Sequence, residues 1–182
     1  MLDALKLRLR TSEEGCINHL YLDGVGLVTC AVGHMVPTAE AMDAIPMVHA
    51  DGTPATNDEK RAEWQAVKSL APNMAPGFYA ARTMLRLTDA TIDQLQDSDV
   101  AEIYRELLHW FPDLASYPEP AQEAIVDYGF EGPAKMHAGA PKLCAAILAQ
   151  DWPAAAVESH RVGIQDSRNV AIAGLFTQAA QA

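Results

Sequence analysis

The sequence predicts an α+β fold: one amphipathic helix, then a small β-hairpin region, then a lobe made mostly of helices. Leucines recur at helical spacing near the N-terminus, β-prone runs separated by glycines occupy residues 21–32, and the apolar pattern from Thr88 onward is helical. A chain of 182 residues fits one domain that divides into two lobes. We therefore expect a single domain over 1–182, with a helix and β lobe over about 1–87 and a helical lobe over about 88–182.

The first helix is expected over residues 2–14. Its apolar side is formed by Leu2, Leu5 and Leu9, which lie at helical spacing. Gly15 is a natural helix stop because glycine readily adopts the left-handed conformation that ends helices. The helix would therefore end at the acidic pair Glu13 and Glu14.

A β-hairpin is expected next. Tyr21–Asp23 and Leu27–Val32 are short β-prone runs, and the glycines of Gly24–Gly26 between them are typical of a hairpin turn. Gly33 closes the second run. Residues 35–56 are rich in Pro, Thr, Ala and Asp, which predicts a loop with one short helix.

The remaining chain is predicted to be mainly helical. A helix over 57–70 would begin at Asn57 as its cap, and residues 83–87 would form a strand or an extended link. Ser98, Pro118 and Ser167 act as start signals for later helices. These helices are expected over 89–96, 98–111, 118–129, 141–150, 152–160 and 167–180.

Composition excludes several classes of protein. A formal net charge of −11, with the basic residues scattered, argues against a nucleic-acid binder and against a protein that sits on anionic lipid. No apolar run approaches the roughly 18 residues that a membrane span needs, and no secretory signal is visible at the start. The three cysteines and six histidines lack the spacing of disulfide frameworks or metal sites, so we expect no metal and no cofactor.

Two carboxyl groups and a hydroxyl have the chemistry that glycosidic cleavage requires. The reaction needs an acid that protonates the leaving oxygen and a carboxylate, or an activated water, that acts on the sugar carbon. Glu14 at a helix end suits the acid, and Asp23 in the hairpin with Thr29 on the returning strand suits the second role. Taken alone, the residues equally allow Glu14 to be an exposed helix-end carboxylate and Asp23 to be a turn residue.

The spacing of these residues forms a longer pattern. It consists of Glu14-Gly15, Tyr21, Asp23, Gly26, Thr29 and Gly33-His34, eight positions within 21 residues. This pattern resembles the N-terminal signature of the phage-type lysozymes, glycoside hydrolase family 24 of the lysozyme-like superfamily. The resemblance implies that Glu14, rather than Glu13, is the general acid, and that Asp23 and Thr29 position the attacking water.

The resemblance also implies a lysozyme-like architecture with a substrate cleft between the two lobes. Tyr21, Phe130 and Glu131 would contact the substrate. Arg168 would support the site by pairing with Glu14, which would also lower the pKa of that acid. Gly33 and His34 would support it structurally, with the His34 ring buried and hydrogen-bonded.

The function implied is that of a peptidoglycan-degrading muramidase, which hydrolyses the β-1,4 bond between N-acetylmuramic acid and N-acetylglucosamine. Water held by Asp23 and Thr29 favours an inverting outcome, and a retaining route with Asp23 as the nucleophile is the alternative. A different class of function is a cell-wall-binding or structural module with little turnover. Ala31, where the family usually has glycine, and Glu131 leave room for that reading, and a chitin-like substrate is a third hypothesis.

A looser resemblance concerns the biological setting. Leu85–Ala90, Trp110–Pro112 and Arg168-Asn169 are similar to segments of lysozyme-like domains in type VI secretion effectors and phage-derived cell-wall hydrolases. It implies a protein made in the cytoplasm without a signal peptide that acts on peptidoglycan, in the periplasm or target cell wall, after export or lysis. The expected partners are peptidoglycan glycan strands, a secretion carrier and an immunity protein, with the enzyme itself a monomer.

Overall fold

The computed structural model of the protein describes residues 2–13 and 15–182. Over these residues the fold is α+β, with many helices and one three-stranded antiparallel sheet, which confirms the predicted class at that coarse level. The chain divides into two compact units, Lys6–Ser98 and Asp99–Ala182, and the latter also includes the N-terminal residues through Leu5. The division lies inside a helix, whereas the sequence predicted a lobe boundary near residue 88.

The N-terminal segment is helical, but its second half is wound differently from its first. Helix α1 covers Asp3–Arg8, and a π-helical turn covers Leu9–Glu13. Leu2, Leu5 and Leu9 are buried, as their helical spacing predicted. Glu14, the last residue of the predicted helix, lies outside the described residues.

The predicted hairpin forms two strands of the sheet, and the third strand was not predicted. The strands are β1 (Ile17–Leu22), β2 (Val28–Ala31) and β3 (His34–Met35), adjacent in that order. Tyr21 lies opposite Thr29, which in turn lies opposite Met35. Because β3 is only two residues long, alternation of apolar and polar residues could not reveal it.

The segment after the sheet contains a short 3-10 turn, Glu40–Ala44, and then helix α2, Asn57–Lys68. The prediction that Asn57 caps α2 is wrong, because the cap is Thr56. The Thr56 hydroxyl accepts from the Glu59 amide while the Glu59 carboxylate accepts from the Thr56 amide, a reciprocal capping box. Buried Lys60 donates to the backbone oxygens of Asp43 and Ile45 at 3.1 Å, which fastens α2 to the loop before it.

A short helix, α3 (Pro76–Ala80), follows in the stretch between residues 70 and 83, where the sequence predicted no element. Proline is well tolerated in the first turn of a helix, so Pro76 can begin one here. Its Tyr79 is fully buried, and the phenol donates to the Ala71 carbonyl at 2.7 Å. The extended link predicted over 83–87 is confirmed, since Arg86 and Val48 exchange two backbone hydrogen bonds of 2.8 and 2.9 Å.

Helix α4 runs continuously over Asp89–Trp110, so the two separate helices predicted here, the second starting at Ser98, are wrong. Asp97 and Ser98 are exposed, and polar residues on an exposed helix face do not interrupt the backbone hydrogen bonds. Two ion pairs join this helix to the N-terminal segment within the first unit. They are Lys6 with Asp97 at 2.7 Å and Arg10 with Asp93 at 2.5 Å.

The second unit is formed by helices around an apolar core. After a 3-10 turn at Leu114–Ser116 come α5 (Glu119–Gly129), α6 (Pro133–Gly139), α7 (Pro141–Leu148), α8 (Trp152–Glu158) and α9 (Asp166–Ala179). Of these five α-helices, the sequence predicted all except α6. Trp152 lies in the core between Tyr117 and Phe176, with ring centroids 5.2 and 6.3 Å away.

The described helices differ from membrane spans in length and polarity. Within residues 2–13 and 15–182, no helix is at once long enough and apolar enough to cross a bilayer. The longest, α4, has 22 residues but carries repeated acidic side chains.

Candidate functional site

Asp23 closes the turn of the hairpin. It follows β1, and its Oδ1 accepts hydrogen bonds from the backbone amides of Val25 at 3.0 Å and Leu27 at 2.8 Å. Its own amide donates to the Leu27 carbonyl at 3.0 Å. Aspartate is favoured in turns because its carboxylate binds backbone amides a few residues on. Neither of these side-chain hydrogen bonds uses Oδ2.

Thr29 lies on β2 and is only 4% exposed. Its hydroxyl donates to the Leu27 carbonyl at 3.1 Å, so its proton is committed and its lone pairs can accept a hydrogen bond. Residues directly opposite each other in antiparallel strands share a face of the sheet. Tyr21, Thr29 and Met35 therefore form a row on one face, with Thr29 in the middle.

The end of α2 and the loop after it hold the hairpin turn in place through two hydrogen bonds. Lys68 Nζ donates to the Gly26 carbonyl at 2.7 Å, and the Asn73 amide donates to the Asp23 carbonyl at 3.3 Å. The Tyr21 ring, half-buried, lies 6.4 Å from the Tyr79 ring. The turn that carries Asp23 is thus fixed by backbone and side-chain contacts on both sides.

The predicted acid, Glu14, lies outside the described residues, but the chain on either side of it is described. The π-helical turn Leu9–Glu13 precedes it, and Gly15 follows with a left-handed φ of 75°. Arg10, in that turn, is ion-paired to Asp93. Single π-helical turns occur frequently at functional sites because they shift side chains away from the regular helical positions.

Two residues with positive φ lie where β2 turns into β3, Ala31 at the end of β2 and Gly33 in the turn. Gly33 has a φ of 77°, which glycine adopts without strain, and Ala31 has a φ of 53°. An alanine in the left-handed region costs roughly 1–2 kcal/mol, so the residue that departs from the expected glycine lies where glycine is favoured. His34 was expected to be buried, but it is half-buried and lines a mainly apolar cavity of about 360 Å³.

The second unit contains a buried ionic cluster that the sequence analysis missed. The carboxylate of Asp127, on α5, is fully buried and accepts from Arg168 Nε at 2.9 Å and Arg161 Nη2 at 3.3 Å. Asp127 directly follows the apolar run Ala124–Val126 in a predicted helix, and this was the available signal, since buried acids require cationic partners. Arg168 thus has Asp127 as a described partner, while its predicted pairing with Glu14 involves a residue outside the described ones.

Phe130 and Glu131, the substrate-contacting candidates of the second unit, follow the end of α5. Phe130 is half-buried. The Glu131 carboxylate accepts from Arg161 Nη1 at 2.9 Å and from Lys135 Nζ at 3.2 Å. Two cations therefore offset the negative charge that Glu131 was expected to add to the site.

Those predicted site residues that the structure describes fall into two groups, one in each unit. Tyr21, Asp23, Thr29, Gly33 and His34 belong to the sheet of Lys6–Ser98. Phe130, Glu131 and Arg168 belong to the helices of Asp99–Ala182. The hydrogen bonds to Leu27 tie together the two predicted catalytic side chains of the first group, and Arg161 links Glu131 to the Asp127–Arg168 pair in the second.

Comparison with known proteins adds no family assignment. No protein-family model matches the chain, and no curated protein matches it. Assignment of a function therefore depends on the chemistry of the side chains and on their spacing in the sequence.

Proposed function

We propose that this protein is a muramidase that hydrolyses the β-1,4 bond between N-acetylmuramic acid and N-acetylglucosamine in peptidoglycan. The observation that carries the proposal is the attachment of Asp23 and Thr29 to the same residue, Leu27. It fixes a carboxylate and a hydroxyl on one rigid hairpin, as water activation at a sugar carbon requires. Peptidoglycan is proposed as the substrate because the eight-position sequence pattern resembles that of the phage-type lysozymes.

Glu14 is the general acid in this proposal. A carboxylic acid must protonate the glycosidic oxygen as the bond to the anomeric carbon breaks, because an alkoxide is a poor leaving group. The π-helical turn Leu9–Glu13, which precedes Glu14 in sequence, supports this role, since single π-helical turns are frequent at functional sites.

Asp23 and Thr29 act on the attacking water. Because the Thr29 proton is donated to the Leu27 carbonyl, the Thr29 oxygen accepts a hydrogen bond from the water. The Asp23 carboxylate accepts the second hydrogen of the water and takes that proton as the new bond to carbon forms. One oxygen lone pair then remains directed at the anomeric carbon, and the product has the inverted configuration.

A retaining route uses the same residues with Asp23 attacking the anomeric carbon directly. Two backbone amides already bind Oδ1 of Asp23, and neither of these bonds uses Oδ2. Either route would use Oδ2, as the base that takes the proton of water or as the nucleophile. NMR of the anomer formed first from a soluble glycan substrate distinguishes the two routes.

The proposed setting is an exported antibacterial effector or a phage-derived lysin, with a secretion carrier and an immunity protein as partners. Its site of action is the peptidoglycan after export or cell lysis. The net charge of −11 does not favour long-range attraction to an anionic cell wall, so glycan binding would depend on uncharged contacts and local cations.

The direct test is release of muropeptides from purified sacculi between about pH 4 and pH 8. The wild type should release them, Glu14→Gln should lose almost all activity, and the adjacent control Glu13→Gln should retain it. Chitin oligomers are tested in parallel, and their preferential hydrolysis would assign a chitin-like substrate instead. If the wild type releases nothing at any pH, the enzyme proposal fails, and co-sedimentation with sacculi then tests the cell-wall-binding alternative.

A further inference from the structure

The second unit contains a cavity of about 330 Å³, and its lining includes none of the residues proposed to donate a proton or to act on water. It is lined by residues from the end of α5, from α6 and from the loop after α8. Lys135 and Arg161 line it together with the His160 ring and one acidic side chain, Glu131. In a chain with a net charge of −11, two cations beside one carboxylate reverse the general trend.

Arg161 is built rigidly into the cavity wall. Its amide donates to Asn169 Oδ1 at 3.0 Å, and Asn169 Nδ2 donates to its carbonyl at 2.9 Å. The guanidinium lies over the Tyr128 ring, 4.5 Å from the centroid, and the side chain is only 6% exposed. Its orientation is therefore fixed before any ligand arrives, which lowers the entropic cost of binding.

The donors of Arg161 are incompletely used. Nη1 donates to Glu131 and Nη2 reaches Asp127 at 3.3 Å. The Nε–H is buried, and within the described part of the chain it has no acceptor. Nη1 and Nη2 each carry a second N–H, so the guanidinium can also donate to a carboxylate in the cavity while it keeps Glu131 and Asp127.

Lys135 supplies a second, accessible cation. Its side chain is 73% exposed and shares the Glu131 carboxylate with Arg161. An ammonium group has three donors, so Lys135 can bind a further oxygen without releasing Glu131. The Tyr128 ring and Met136 add apolar surface beside these charges.

We infer that this cavity binds the free carboxylate of a short peptide. The inference rests on the proposed function, since the peptidoglycan glycan carries short peptides that end in a carboxylate. Lys135 and Arg161 pair with the carboxylate, and Tyr128 and Met136 contact small apolar side chains. Glu131 repels a second carboxylate placed beside it, so the cavity takes one carboxylate at a time.

The test uses the full chain with N-acetyl-D-alanyl-D-alanine as the probe and its C-terminal amide as the matched neutral probe. NMR titration should give at least about tenfold tighter binding of the acid than of the amide, and the difference should shrink with added salt. Lys135→Met should weaken binding of the acid about fivefold or more, and Glu131→Gln should strengthen it. The control Lys142→Met changes a lysine that is 81% exposed and lies outside the cavity, so binding should not change.

Equal binding of acid and amide, or unchanged binding by Lys135→Met, would overturn the inference. Lys135 is exposed, so its substitution should not affect folding, and circular dichroism checks this. Binding of the probe without hydrolysis of sacculi would leave the cavity assignment standing and reject the muramidase proposal. Hydrolysis of sacculi without binding of the probe would reject the cavity assignment alone.

Discussion

Asp23 and Thr29 are hydrogen-bonded to the same residue, Leu27. Oδ1 of Asp23 accepts from the Leu27 amide at 2.8 Å, and the Thr29 hydroxyl donates to the Leu27 carbonyl at 3.1 Å. The two side chains proposed to act on water also stabilise the turn that holds them. Substitutions here affect both folding and activity, and pairs of variants are needed to separate the two effects.

Asp23→Asn should remove activity but largely preserve stability. The amide keeps a carbonyl oxygen that can accept from Val25 and Leu27, so the free energy of unfolding should change by about 1 kcal/mol or less. Hydrolysis of sacculi should fall at least about a hundredfold, because the amide cannot accept the proton of water. Asp23→Ala loses both hydrogen bonds and should also lower the free energy of unfolding by about 1–2 kcal/mol, measured by urea denaturation. Full activity of Asp23→Asn would exclude Asp23 as the base.

A comparison of Thr29→Val with Thr29→Ser tests whether activity depends on the hydroxyl or on the methyl group of Thr29. Valine fills the same space but leaves the Leu27 carbonyl without this donor, so we expect a loss of about 1–2 kcal/mol in stability and of tenfold or more in activity. Serine keeps the hydroxyl and should retain activity within about threefold. Release of reducing ends measures the rates. Equal activity of the two variants would mean that the hydroxyl does not position water.

Asp127→Asn should strongly destabilise the second unit. Asp127 is fully buried between Arg161 and Arg168, and removal of one partner from a buried ionic cluster costs about 3–5 kcal/mol. The control Asp113→Asn changes an exposed acid of the same unit and should alter the free energy of unfolding by about 0.5 kcal/mol or less. Denaturant titration measures both, and similar effects would show that the cluster contributes little.

His19 should make the first unit sensitive to acid. Burial is the main cause that lowers its pKa below the ordinary value of 6.5, and Arg86 lowers it further, although the hydrogen bond from Nε2 to the Pro76 carbonyl acts in the opposite direction. Below pH 6.5 the unfolded chain takes up a proton that the folded chain resists, so the free energy of unfolding falls as the pH drops from 6.5 towards the folded pKa and levels off below it. His19→Gln should flatten this decline, measured by urea denaturation at a series of pH values. An identical decline in both proteins would contradict the assignment.

Gln150→Gly should raise the stability of the protein. Gln150 follows α7 with a φ of 53° and is exposed, so glycine relieves backbone strain of about 1 kcal/mol without loss of packing. Ala31 has the same φ but is buried, and Ala31→Gly also removes a methyl group worth about 0.8 kcal/mol, so its gain should be smaller. Melting temperatures compare the two. A lower melting temperature for Gln150→Gly would show that its side chain, rather than its backbone, determines stability there.

The sequence was sufficient where structure depends on near neighbours. Turn residues such as Asp23 and Gly26 lie within the hairpin that they specify, so the hairpin could be predicted. Contacts between distant residues could not be predicted. Asp127 contacts Arg161 and Arg168, which lie 34 and 41 residues further along the chain, and no local pattern links the three residues.

The same limit explains the wrong break in α4 and part of the candidate site. Asp97 appeared to be a boundary residue but is paired with Lys6, 91 positions earlier. Spacing selected Asp23 and Thr29 as candidates. It did not predict that both would be attached to Leu27, because this depends on how the backbone closes the turn.

The discontinuous second unit has a consequence for the order in which the protein folds during synthesis. Leu2 and Leu5 are translated before Lys6–Ser98, yet they belong to the unit whose other residues, Asp99–Ala182, are translated after it. The segment Lys6–Ser98 is contiguous and can fold while translation continues. Leu2 and Leu5 must wait for the rest of their unit, and during that interval their apolar side chains are open to chaperones and to aggregation.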